Sequence, residues 1–247
     1  MNSDSTHTVK SYDEDLRRLN KTIAEMGGLA ETQLAEAVDA LVGRDSDSAA
    51  AVIESDQRID QLEREVDASV VRLLALRQPM ASDLRLIVAA LKIASDIERI
   101  GDYAANVAKR AIALNQMPLA RPVNSLPRMG RQVQQMIKDV LDAFVDKDAA
   151  KAEAVWNRDE EVDDTYNSLF RELLTYMMED PRNISACIHL LFIAKNVERI
   201  GDHTTNIAET IHFMVHGKPI VAARPKGDST AFAVIKPGLG EKGSTAQ

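Results

Sequence analysis

Apolar residues recur at three- and four-residue spacing along most of the chain, the period of a helix with one buried face. From about Tyr12 to Val42 this spacing predicts a first helix, interrupted at Gly27-Gly28, where a packing contact or a kink is expected. Arg44-Asp45-Ser46-Asp47-Ser48 reads as a connection that supplies helix caps. A second helix is predicted over 47–77, with Ile59, Leu62, Val66 and Leu73 inward, and Gln78-Pro79 breaks it. Ser82 and Asp83 are placed to cap a third helix that ends near Leu114.

Three prolines between Met117 and Pro127 mark a boundary, after which the plan repeats: helices over 128–146, 149–178 and 185–216, with a breaker at Glu179-Asp180-Pro181 and a stop at Gly217. The predicted fold is all-α, two tandem, pseudo-repeated three-helix bundles at 11–116 and 128–217. A loose N-terminus at 1–10, a linker at 117–127 and a flexible tail at 218–247 complete the expected organisation.

One stretch occurs twice. Glu98-Arg-Ile-Gly-Asp102 is identical to Glu198-Arg-Ile-Gly-Asp202, and Asn106 and Asn206 follow at the same distance. At about 100° per helical residue, Glu98, Asp102 and Asn106 fall within roughly an 80° sector, rising about 6 Å per step. Leu86, Ala90, Ile93, Ile97, Ile100, Ala104, Val107 and Ala111 form a stripe about 180° away, so the carboxylates are expected to face outward. Ile193, Val197, Ile200, Ile207 and Ile211 repeat the stripe.

Like charges one turn apart cost a helix a few tenths of a kcal/mol unless something neutralises them. A hard cation would do so, and oxygen-only ligands point to magnesium, manganese, calcium or iron(II) rather than structural zinc. Mid-helix glycine costs roughly 1 kcal/mol, so Gly101 and Gly201 imply close helix packing or approach of a ligand. Asp56 and Asp60, and likewise Asp159 and Asp163, could close each site from the second helix of each half.

A net charge of −8 argues against non-specific binding to nucleic acid or an anionic membrane. Aromatics make up only 4% of residues, which suits helix bundles better than a β-sandwich. Cys187 is the single cysteine, so no intramolecular disulfide forms. No run approaches the roughly 20 apolar residues of a membrane span, and the N-terminus lacks a secretory pattern, so a cytoplasmic protein is expected. Glu209-x-x-His212 resembles half of a di-iron motif but is not repeated, because Ile112 stands at the matching place. Arg99 and Arg199 are placed to pair with carboxylates or to meet a partner. No phosphate loop, nucleophile elbow or Cys-His arrangement is present.

These residues together resemble the PhoU family, accessory and regulatory proteins of phosphate-specific transport. The resemblance runs from Met26-Gly-Gly through Ala81-Ser-Asp-Leu-Arg85, both Glu-Arg-Ile-Gly-Asp copies, Leu141-Asp-Ala-Phe144 and Thr175-Tyr-Met-Met-Glu-Asp180, over about residues 10–217. It implies metal ions on the repeated faces, with Glu98, Asp102, Glu198 and Asp202 as ligands and Asn106 and Asn206 secondary. It also implies a non-enzymatic negative regulator linking the ATPase subunit of the phosphate ABC transporter to a sensor histidine kinase, peripheral to those membrane complexes. Two other readings stand beside it: a metal-free helical scaffold, and a metal-dependent hydrolase, which would need a positioned base that the sequence does not offer. Leu84, Val88 and Leu91 continue the outward face and suggest either a homodimer or packing against the neighbouring bundle.

Overall fold

The computed structural model describes residues 3–118 and 125–221, with side chains from Ser11 onward. The middle of the expected linker and the tail beyond Val221 lie outside the described residues. Among the described residues seven α-helices follow one another: α1 (Ser3–Gly43), α2 (Ser46–Arg77), α3 (Ala81–Asn115), α4 (Ser125–Asp146), α5 (Ala149–Trp156), α6 (Asp159–Glu179) and α7 (Ile184–His216), with one 3-10 turn at Pro181–Asn183. Among the described residues there is no strand.

Local chemistry sets the ends of these helices. Asp45 caps α2 by accepting from the backbone N–H groups of Asp47 and Ser48, and Asp148 caps α5 through Ala150 and Lys151. Gln78 closes α2 in the left-handed region at φ 45°, and Gly217 closes α7 at φ 69°. The C-terminus of α3 is capped from a distance, since Arg44 Nη2 donates to the carbonyls of Leu114, Asn115 and Met117.

Four expectations about elements change. Helix α1 begins at Ser3, so backbone expected to be loose is helical. Helix α3 is preceded by Met80, which makes no side-chain cap, and Ser82 and Asp83 lie inside the helix. The helix expected over 149–178 is two helices, broken at Asn157-Arg158. Gly27 and Gly28 sit in unbroken helix, so the expected feature is a packing contact.

That packing contact occurs twice. A Cβ on Gly27 would overlap the Leu141 side chain of α4, and one on Gly130 of α4 would stand 2.8 Å from Val38 Cγ2 of α1. In the repeat Gly27 matches Gly130 and Val38 matches Leu141, so α1 and α4 cross through one contact used in both directions.

Helices α3 and α7 pack antiparallel along their length. Arg85 lies by Gly217, Asp96 bonds Asn206, and Arg110 lies over the ring of Phe192. Midway, Tyr103 and His203, equivalent positions of the two copies, bring their rings to 5.7 Å. Each motif helix thus has its own bundle on one side and its twin on another. All eight residues of the first predicted apolar stripe are buried, as are all five of the second.

Candidate functional site

In the first half α2 leans against the motif face of α3. Glu98 keeps only 15% of its side chain exposed, and its carboxyl pKa is pushed up to about 7, chiefly by burial and then by the charge of Asp102. Glu63 and Asp60 of α2 add to the effect, while Arg99 opposes it. Asp56 rises to about 6 for the same reasons, burial first, then Asp102 and Asp60. The two aspartates of α2 and the two acids of α3 therefore share one electrostatic site. Gln33 of α1 joins them. Its Nε2 donates to Ser55 Oγ at 2.9 Å, and its amide also bears on Asp56, where it opposes the rise in pKa.

In the second half α6 plays the part of α2. Glu198 is 5% exposed, and burial pushes its pKa up to about 7, with Asp202 and Asp163 adding to the rise. Lys195 Nζ pairs with Glu198 Oε1 at 2.9 Å, and Glu198 Oε2 is buried without a donor. Asp159 and Asp163 are themselves buried, and Thr205 Oγ1 lies 3.2 Å from Asp159 Oδ1.

Glu98, Glu198, Asp159 and Asp163 thus lie between helices, contrary to the outward face expected from the helical wheel, while Asp102 keeps 39% of its side chain exposed. The physical reason is a second stripe of small residues beside them. Ala94, Gly101, Ala105 and Ala108 in α3, and Ala194, Gly201, Thr205 and Ala208 in α7, are all buried and let neighbouring helices close in. At Gly101 the approach is tight, because a Cβ would stand 2.9 Å from both Asp56 Oδ1 and Ile59 Cδ1. At Gly201 the nearest atom, Val162 Cγ1, would be at 3.5 Å, an ordinary contact.

The remaining candidates fall elsewhere. Asn206 Nδ2 donates to Asp96 Oδ1 at 3.4 Å across the α3–α7 seam, and Lys109 Nζ reaches Asn106 Oδ1 at 3.4 Å. Arg99 binds its neighbours Glu98 and Asp102, and Arg199 lies over the ring of Tyr103. Glu209 accepts from the indole N–H of Trp156, and His212 Nδ1 lies 3.1 Å from the carbonyl of Lys218. Leu84 and Val88 are exposed, but Leu91 packs against the core. Sequence reasoning missed Gln33, Glu63, Lys195 and Thr205. A hydroxyl in the small-residue stripe was the available signal for Thr205, whereas Gln33 and Glu63 come from other helices and carried none.

The carboxylate and amide oxygens at both faces are the ligand type a hard cation prefers. Among the described residues, however, no group of three or more histidine, cysteine, aspartate or glutamate side chains is arranged to hold a metal ion.

Two pseudo-repeated bundles, each gathering interacting carboxylates about a Glu-Arg-Ile-Gly-Asp helix, half-buried in the first and buried in the second, define a tandem helical protein whose duplicated feature is electrostatic. Residues 23–111 and 126–211 each match the PhoU domain, and the chain belongs to the PhoU family. It is 54% identical over 223 residues to a phosphate-specific transport system accessory protein PhoU homolog of Caulobacter vibrioides, covering 90% of this chain and 97% of that one. A homolog of the same description from Zymomonas mobilis is 51% identical, over 87% of this chain and 91% of its own. The crystal structure of PhoU from Pseudomonas aeruginosa superposes with a TM-score of 0.81 at 45% identity, covering 84% of this chain and all of that one. The phosphate transport system regulatory protein PhoU from Streptococcus pneumoniae gives 0.79 at 31% identity, over 85% and 100%. Among the described residues no helix is long and apolar enough to cross a membrane.

Proposed function

We propose that this protein is a cytoplasmic accessory regulator of phosphate-specific transport that carries divalent or iron ions on its two acidic faces. The family membership supports the transport role. The observation that carries the metal reading is the gathering of like-charged carboxylates at each face, together with Glu198 Oε2, which is buried without a donor. A cation would satisfy that oxygen and cancel the repulsion among Glu98, Asp102, Asp56 and Asp60, and among Glu198, Asp202, Asp159 and Asp163. The carboxylates would have to rotate towards one another to share an ion, and the relief of repulsion would drive that movement.

On this reading the protein performs no chemistry of its own. It acts by contact with the ATPase subunit of a phosphate ABC transporter and with a sensor histidine kinase, restraining the starvation response when phosphate is plentiful. The ions set the charge those partners meet. Magnesium, manganese and iron(II) all suit the oxygen donors.

The metal-free scaffold keeps a specific observation in its favour. Glu98 and Glu198, pushed up to about 7, can be neutralised by protons instead of ions. Metal content of protein purified without chelator, compared with a Glu98→Ala, Asp102→Ala, Glu198→Ala, Asp202→Ala variant of equal helicity, separates the two. Metal that vanishes in the variant supports the ion-bearing regulator. A native protein that stays metal-free after incubation with manganese or iron(II) returns the faces to proton chemistry. Capture of the transporter ATPase and of the kinase by the native protein, with and without chelator, tests the regulatory part independently.

A further inference from the structure

The antiparallel α3–α7 seam has two ends related by the repeat, and they are finished differently. At one end Phe192 of α7 meets the guanidinium of Arg110 in α3 at 4.1 Å, with His189 one turn away. At the other end the equivalent residues are Lys92, Thr210 and Ala89, all smaller or more flexible than the aromatic and guanidinium groups they replace. A cleft of about 270 Å³ opens there, walled by Val88, Ala89, Phe213, Pro219 and Ile220, with Glu209 at its side. The chain itself leads into this cleft, since Ile220 follows the α7 stop and packs against the core. Beside it Leu84 and Val88 leave an exposed apolar row on α3, and Arg85 Nε is buried without an acceptor.

We propose that Ala231-Phe-Ala-Val-Ile235 of this same chain docks in the cleft, with Phe232 filling the space that Phe192 occupies at the opposite end. The segment is the one apolar run among the Gly, Pro, Ser and charged residues beyond Val221. The nine residues between Val221 and Ala231 span about 30 Å when extended, ample for a return to a cleft whose wall includes Ile220. A tether of that length also holds the segment at roughly millimolar effective concentration. Residues 218–247 carry Lys218, Arg224, Lys226, Lys236 and Lys242 against Asp228 and Glu241, while the chain as a whole is at −8. Lys92 and Glu209 both line the cleft and offset each other in charge, so the contact is apolar, made against Val88, Phe213 and Ile220.

Amide hydrogen exchange of the full chain, measured at several protein concentrations, tests the docking. The amides of residues 232–235 are expected to exchange at least about tenfold more slowly than the intrinsic rates of their own sequence, those of 243–247 at their intrinsic rates, and both independently of concentration. Phe232→Asp should remove this protection without disturbing the helices. Lys92→Phe with Thr210→Arg, which rebuilds in the cleft the pair found at the other end, should remove it as well. Free exchange at 232–235 in the native chain would overturn the proposal. So would protection that grows with concentration, which would seat the segment of a second copy instead, or protection that survives both variants.

Discussion

Thr205 Oγ1 lies 3.2 Å from Asp159 Oδ1, and the residue that matches Thr205 in the first half, Ala105, has no hydroxyl to offer Asp56. This hydroxyl is one of several differences between the faces, beside Gln33 against Met136 and Lys195 against Ser95. Thr205 also reaches the carbonyl of Gly201 at 3.0 Å, so its single proton is shared between a backbone and a carboxylate acceptor. Thr205→Val keeps the shape and removes the donor beside a buried acid. Losing it should cost about 1–2 kcal/mol in urea unfolding at neutral pH. An unchanged midpoint would mean that the other contacts of Asp159 suffice.

The raised carboxyl pKa values fix the sign of a pH dependence. Glu98 and Glu198 rise from 4.5 to about 7, and Asp56 from 3.8 to about 6. A carboxyl whose folded pKa exceeds its unfolded value binds protons more readily in the folded state. Its stabilisation is complete below the unfolded value, fades as pH rises through the window, and is gone above the folded value. The metal-free chain should therefore melt several degrees lower at pH 8 than at pH 5.5. Glu98→Gln with Glu198→Gln should flatten that difference. A thermal melt that rises with pH in both proteins would show that other groups govern the window.

The helices were legible because their apolar periods and their breakers agree. Pro79, Pro181 and Gly217 stop helices where local sterics demand it, and the stripes at Ile93–Ile97–Ile100 and Ile193–Val197–Ile200 are buried as spaced. The break between α5 and α6 was not legible, for no proline or glycine marks it. Tertiary anchors accompany it instead: the Trp156 indole bonded to Glu209 of α7 and Arg158 paired with Asp139 of α4 at 2.7 Å. The candidate acids were legible by type and spacing, but their burial was not. A single helical wheel finds one apolar stripe, while α3 and α7 each pack on several sides, and the second side is lined by Ala and Gly, whose hydrophobicity is too slight to stand out.

The α1–α4 crossing gives a compensating pair. Gly130→Ala would press a methyl against Val38 Cγ2, which sits 2.8 Å from the added carbon. The overpacking should cost about 1–3 kcal/mol. Adding Val38→Ala should recover part of that loss, so the double variant should be less destabilised than the two single losses summed. Strict additivity in urea unfolding would mean that the helices separate rather than clash.

The two motif glycines should respond to alanine with opposite signs, although their local sequences are identical. Replacing a mid-helix glycine with alanine gains about 0.5–1 kcal/mol from the backbone alone. At Gly201 nothing opposes this gain, because the new methyl would meet Val162 at 3.5 Å and Val133 at 3.8 Å. Gly201→Ala should therefore leave stability unchanged or raise it. At Gly101 the methyl would stand 2.9 Å from Asp56 Oδ1, 2.9 Å from Ile59 Cδ1 and 3.2 Å from Gln33 Oε1. Ile59 is fully buried and cannot yield without moving α2. Gly101→Ala should lose about 1–3 kcal/mol net of the backbone gain. It should also disturb the acids around Asp56 while leaving those around Glu198 intact. Chemical denaturation of the two variants, side by side, reads the signs directly. Equal destabilisation at both positions would mean that the glycines answer to a requirement of the motif itself rather than to the helices packed against it.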